Sequence, residues 1–99
     1  MRIFYAPEIA DDLAAARDWY ESRSSGLGED FLLMAYAAFS ELSEFPEQYA
    51  EIYRHYRRAL LRRFPYSVYY LIAQDTVTVY GVFHSSRDPQ AVTGALDGR

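Results

Sequence analysis

The apolar pattern changes period at Pro46, and that change limits the fold more than any other feature of the chain. Upstream, Ile9, Leu13, Ala16 and Tyr20 recur at helical spacing, with Asp11, Asp12, Arg17, Asp18 and Glu21 on the remaining faces. This predicts an amphipathic helix over about residues 8–22, entered through Pro7. A second stripe of Phe31, Ala35, Ala38 and Leu42, broadened by Leu32, Tyr36 and Phe39, predicts another helix from residue 27 or 29 to 43. Pro46 closes it. The segment Ser24-Ser25-Gly26-Leu27-Gly28 between them suits a tight helix-to-helix turn. Downstream the period is two, and β-branched and aromatic residues become dense. Strands are expected at residues 52–55, 59–64, 67–73 and 77–84, with a hairpin turn at Gln74-Asp75-Thr76 and a short first strand at residues 2–5. Helices and antiparallel strands are segregated along the chain, which defines the α+β class: β-α-α-β-β-β-β, a helix hairpin packed on a mainly antiparallel sheet.

At 99 residues the chain has room for one core, expected as a single domain over residues 1–89. Residues 90–99 hold Gly94, Gly98 and few apolar side chains and read as a flexible C-terminal tail. Cysteine is absent, which removes disulfides, thiolate catalysis and zinc–thiolate sites and suits a reducing compartment. The cytoplasm is therefore the expected location, since neither a signal-peptide core nor an apolar run of membrane-spanning length is visible. No motif asks for a cofactor or a metal. Charge is unevenly distributed: residues 1–51 hold 11 acids against three arginines, whereas residues 52–99 hold seven arginines against three aspartates. The positive field should accordingly be local to the strand half.

Three stretches carry a resemblance to a known family. They are Asp12-Leu13 through Trp19-Tyr20-Glu21 with Gly26-Leu27-Gly28 and Phe31; Phe45-Pro46 followed by Tyr49; and Arg57-Arg58-Ala59-Leu60-Leu61-Arg62-Arg63-Phe64-Pro65-Tyr66-Ser67-Val68-Tyr69-Tyr70, leading to Val82-Phe83-His84 and Arg87-Asp88-Pro89. Together they resemble the RelE/ParE superfamily, and ParE-like members in particular. The resemblance implies the toxin of a type II toxin–antitoxin pair, neutralised within a hetero-oligomer by direct contact with a cognate, ParD-like antitoxin. ParE-like members poison DNA gyrase without being enzymes. RelE-like members enter the ribosome and cleave mRNA. A third reading on the same fold is an inactive interaction module.

Either branch needs particular residues. A metal-independent ribonuclease has to activate a ribose hydroxyl, stabilise a phosphorane and protonate the leaving oxygen. By resemblance to the YoeB-like branch, those roles would fall to Glu47 or Glu51, Arg63 (or Arg62) and His84. The RelE pattern of several lysines and a late tyrosine is not met, because the chain has no lysine and no tyrosine after Tyr80. A lone histidine at a strand end is also commonly structural. For partner binding the candidates are Trp19, Tyr20, Arg57, Arg58, Arg62, Arg63 and Arg87. The arginines would serve rRNA phosphate, gyrase or antitoxin acids alike, or pair with the chain's own acidic helices. Trp19 and Tyr20 lie about 100° apart on a helix, so both cannot face one narrow core. A net charge of −4 sits poorly with entry into dense rRNA phosphate and favours the gyrase branch.

Overall fold

The computed structural model describes residues 1–99 as five strands and three α-helices: β1 (Arg2–Tyr5), α1 (Ile9–Arg23), α2 (Leu27–Glu44), β2 (Glu51–Tyr53), β3 (Tyr56–Leu60), β4 (Tyr66–Ala73), β5 (Thr76–His84) and α3 (Pro89–Gly98), with a short 3₁₀ turn at Pro46–Gln48. The strands form one sheet in the order β1-β5-β4-β3-β2. Strand β1 runs parallel to β5, and every other pairing is antiparallel. The expected helix hairpin on a mainly antiparallel sheet is thus what the chain forms. No helix is long and apolar enough to cross a membrane.

Helices α1 and α2 cover one face of the sheet. Phe31, Ala35 and Leu42 of α2 meet Val68, Tyr70, Val77 and Val79 of β4 and β5, all essentially sealed from solvent. Burying side chains of this size contributes about 1.5–3 kcal/mol each, so this layer holds most of the stability. Strand β5 then changes phase. Val79 pairs with Tyr70 and Gly81 with Tyr69, which leaves Tyr80 as the extra residue of a β-bulge. Before the bulge, Val77 and Val79 face the hairpin. After it Val82 does, and Phe83 turns to the opposite face.

That opposite face corrects one expectation. Residues 89–98 are not a loose tail but helix α3, whose Val92 and Leu96 seal Tyr56, Tyr69 and Phe83. The start follows local rules: the Asp88 side chain accepts the Gln90 N–H at 2.9 Å, and Pro89 occupies the first turn, where its missing N–H costs nothing. At the other end the Tyr56 hydroxyl donates to the Leu96 carbonyl.

Two strand boundaries also differ from expectation. Strand β3 starts at Tyr56 and stops at Leu60, because Arg54-His55 makes the β2–β3 turn with Arg54 at φ 54°, and Arg63, at φ 69°, lies in the bend before β4. Neither arginine is a usual left-handed residue. Arg54 is fastened by the Tyr53 hydroxyl at 3.0 Å and by Asp97 at 3.4 Å.

Candidate partner-binding site

The site starts with how the hairpin is locked. Gly26 precedes α2 at φ 87°, and no side chain of its own caps the helix. The Glu21 carboxylate, from the last turn of α1, does so instead, accepting the N–H groups of Gly26 and Gly28 at 3.0 Å each. An anion at a helix N-terminus is favoured by the orphan donors and the helix dipole. These two N–H groups, ahead of the nearby Arg17, hold the Glu21 carboxyl below its ordinary pKa. Gly28 allows the close approach, since a Cβ there would lie 2.7 Å from the Arg17 carbonyl oxygen. The Tyr-Glu and Gly-Leu-Gly elements are therefore one clamp.

The clamp fixes the register of the end of α1 and separates its two aromatics. Tyr20 is buried, stacked on Phe31 at 5.6 Å and edge-on to Phe64 at 4.8 Å. It is a core residue whose remaining surface borders the trough described next. Trp19 is 52% exposed, rests edge-on against Tyr20, and carries Arg23 over its ring at 4.5 Å.

Beside Trp19 a trough of about 590 Å³ opens between α1 and the end of β5. Ala15, Ala16, Pro65 and Val82 give it an apolar lining, with Tyr66, His84 and Arg87 around it. Its existence follows from strand lengths. Strand β1 ends at Tyr5, opposite Val79, so the outer edge of β5 continues past its neighbour. Unpaired edge groups need partners, and two distant side chains supply them. Asp12 of α1 accepts the Val82 N–H at 3.1 Å, and Arg99 donates to the Tyr80 carbonyl at 3.0 Å. Asp12 and Arg99 then join each other through two bonds of 2.7 and 3.0 Å, with side chains only 13% and 15% exposed. The Asp12 carboxylate, helped by Glu8, raises the Arg99 pKa further.

His84 lies at the rim. Its Nδ1 accepts the Ser86 N–H at 3.0 Å, so the neutral ring carries its proton on Nε2. The ring packs edge-on to Tyr66 at 5.1 Å. Burial pushes the Tyr20 and Tyr66 hydroxyls above the ordinary tyrosine pKa, leaving both neutral at physiological pH. Arg87 lies over Phe83 at 4.3 Å.

The remaining arginines do not form one patch. Arg57 is turned inward, donating to the Tyr49 carbonyl at 2.6 Å and approaching Glu51 at 3.8 Å; its role is to hold the approach to β2. Arg58 is exposed on the face shared with Tyr69. Arg62 borders a separate hollow with Glu41 and Tyr49. Arg63 reaches Asp30 of α2 at 3.4 Å.

The nuclease candidates are likewise dispersed. Glu51 pairs with Arg57, which pairs with Tyr70, whereas His84 pairs with Tyr66. Four strand residues separate those two levels, about 13 Å. Glu47 lies on the turn whose Pro46 carbonyl accepts the Tyr70 hydroxyl, which also places it away from the Tyr66–His84 pair. His84 has serine and tyrosine neighbours and no paired acid. No three His, Cys, Asp or Glu side chains converge as a metal site would require.

A second concavity, about 440 Å³ and nearly all apolar, lies between α1, α2 and the end of β1 around Leu13, Tyr36 and Phe39. Tyr36 is 53% exposed and was missed from sequence, where it reads as a margin of the core stripe.

A mixed five-stranded sheet thus carries a clamped helix hairpin on one face, with an aromatic trough between α1 and the end of β5. The chain belongs to the ParE toxin family of the type II toxin–antitoxin system parDE, whose family model matches residues 3–89. It is 27% identical over 92 residues to Toxin ParE2 of two Mycobacterium tuberculosis strains, covering 92% of this chain and 88% of those relatives. Its fold matches a chain of the chromosomal ParDE system from P. aeruginosa with a TM-score of 0.64 at 16% identity, covering 85% of this chain and 95% of the other.

Proposed function

We propose that this member of the ParE family is neutralised by direct contact with a ParD-like antitoxin encoded beside it, and that its target when free is DNA gyrase. The observation that carries the reading is the open trough beside Trp19, on a domain whose other large aromatics are mostly packed into its two cores. An exposed tryptophan over an apolar concavity is the usual anatomy of a protein-binding hot spot. Ribosome-dependent mRNA cleavage has less support, because the register keeps Glu51 and His84 at different levels of the sheet.

Induction of the free protein in cells tests the target. DNA breaks with a DNA-damage response are expected, and mRNA cut within codons would reverse the reading. His84→Ala is expected to remain toxic; loss of toxicity with folding and antitoxin binding intact would restore the nuclease. A neighbouring reading frame encoding a short acidic protein with a DNA-binding N-terminal half is expected. Co-expression of that protein should yield a stable complex and abolish toxicity.

A further inference from the structure

The trough is electrostatically one-sided. Its one acid, Asp12, is saturated by Arg99 and by the Val82 N–H. Arg23 and Arg87, by contrast, have no carboxylate within 4 Å. Each guanidinium is instead held against an aromatic ring, Arg23 on Trp19 and Arg87 on Phe83. A guanidinium set over a ring and without a carboxylate partner keeps N–H groups available, and its fork can bind a carboxylate through two parallel bonds. Preorganisation of this kind lowers the side-chain entropy lost on binding. Arg87 lines the trough together with Ala16, Val82 and Trp19, and Arg23 reaches its edge by lying over the Trp19 ring.

We infer that the trough is a receptor for an acidic segment of the partner protein, in which an apolar side chain enters between Trp19 and Tyr66 while flanking carboxylates pair with Arg23 and Arg87. The inference rests on the toxin–antitoxin reading and adds to it the chemistry of the segment and the residues that read it. The chain's charge of −4 does not oppose this. At physiological ionic strength the screening length is about 8 Å, so a bound segment responds to the trough arginines more than to acids across the molecule. A nucleic-acid strand fits less well, because its closely spaced phosphates would extend along α1 past Asp11, Asp18 and Glu21, whereas two carboxylates need only the two arginines.

Trp19 is the single tryptophan, so its fluorescence reports the site directly. The probe is the purified product of the adjoining antitoxin frame, titrated into wild-type toxin and into Arg23→Glu, Arg87→Glu and Arg2→Glu variants. Arg2 is the control, an unpaired guanidinium stacked on Phe4 in strand β1. Each trough variant is expected to bind about ten-fold more weakly, equivalent to about 1.4 kcal/mol, and Arg2→Glu to bind as wild type does. Arg23→Gln and Arg87→Gln should show smaller losses in the same order, which guards against misfolding of a charge-reversed chain. Unchanged affinity in both trough variants, or an equal loss in Arg2→Glu, overturns the inference while leaving the toxin–antitoxin reading intact. Failure of wild type to bind the antitoxin overturns both. Binding of a single-stranded DNA oligonucleotide with the same arginine dependence, in place of the antitoxin, also overturns the inference.

Discussion

Replacing Arg99 by Leu is expected to be among the most damaging changes available outside the main core. In the native chain Arg99 makes two charge-assisted bonds to Asp12 and one to the Tyr80 carbonyl. Bonds of this type contribute about 1.5–3 kcal/mol each when their partner would otherwise be left unpaired. Deleting one member of a fully buried pair costs about 3–5 kcal/mol. The Asp12 side chain is 13% exposed and keeps the Val82 N–H, which softens the loss to about 3 kcal/mol. For a domain of this size that corresponds to a melting-point drop of roughly 12–24 °C. Asp12→Asn should cost less, because its side-chain oxygen still accepts the Val82 N–H. In the double variant, the neutral amide substituted for the Asp12 carboxylate no longer leaves a bare charge opposite the missing guanidinium, so the two losses should fall short of additive by about 1–2 kcal/mol. Urea unfolding followed by Trp19 fluorescence and circular dichroism measures all three. Strict additivity, or a loss below about 0.5 kcal/mol in Arg99→Leu, would show that the pair is a surface contact of the ordinary weak kind and that α3 is held by its apolar packing and by its contacts with Tyr56 and Arg54.

Three further outcomes are expected. Gly28→Ala should destabilise by about 1–3 kcal/mol, because the new methyl meets the Arg17 carbonyl oxygen at 2.7 Å; unchanged stability in thermal melts would mean that the hairpin clamp relaxes freely. Stability should fall on acidification below about pH 4.5, the ordinary glutamate value from which Glu21 is lowered. Its folded carboxylate binds the proton less readily than the unfolded one, so protonation favours unfolding. Glu21→Gln should flatten that part of the profile, and an identical acid limb in the variant contradicts the capping role. Trp19→Ala and Tyr20→Ala should separate binding from folding: the first is expected to weaken antitoxin binding with stability within about 0.5 kcal/mol of wild type, the second to lose about 3–5 kcal/mol of stability. Equal melting temperatures for the two would contradict the burial that distinguishes them.

The parts of the fold legible in the sequence are those set by near-neighbour spacing. Ile9, Leu13, Ala16 and Tyr20 marked the α1 stripe, and the period-two run through Val68 and Tyr70 marked β4, because each side chain's face depends only on its own backbone period. Helix α3 was missed although Asp88-Pro89 is a good start signal. Gly94 and Gly98 lower helix propensity, and the burial that compensates comes from Tyr56, Tyr69 and Phe83, all distant in sequence. The β2–β3 turn was hidden because Arg54 adopts a conformation usually left to Gly or Asn and is held there by Asp97. At the candidate site, Trp19, His84 and Arg87 were nameable in advance and do meet at one trough. Arg57 and Tyr20, both named as partner contacts, are also engaged within the fold, by the Tyr49 carbonyl and by Phe31 and Phe64 respectively, and residue type alone does not reveal that engagement. The Asp12–Arg99 pair had no local signal at all, its members standing 87 residues apart.

The parallel pairing of β1 with β5 imposes an order on synthesis. Arg2 pairs with Thr76 and Tyr5 with Val79, so the first strand made has no hydrogen-bonding neighbour until the last strand, β5, has left the ribosome. Contacts of such long separation close late, and the Arg99 bonds that finish the β5 edge close later still. While the chain is being translated its trough is incomplete. A cell making this protein thus has an interval, set by elongation, before the finished trough exists.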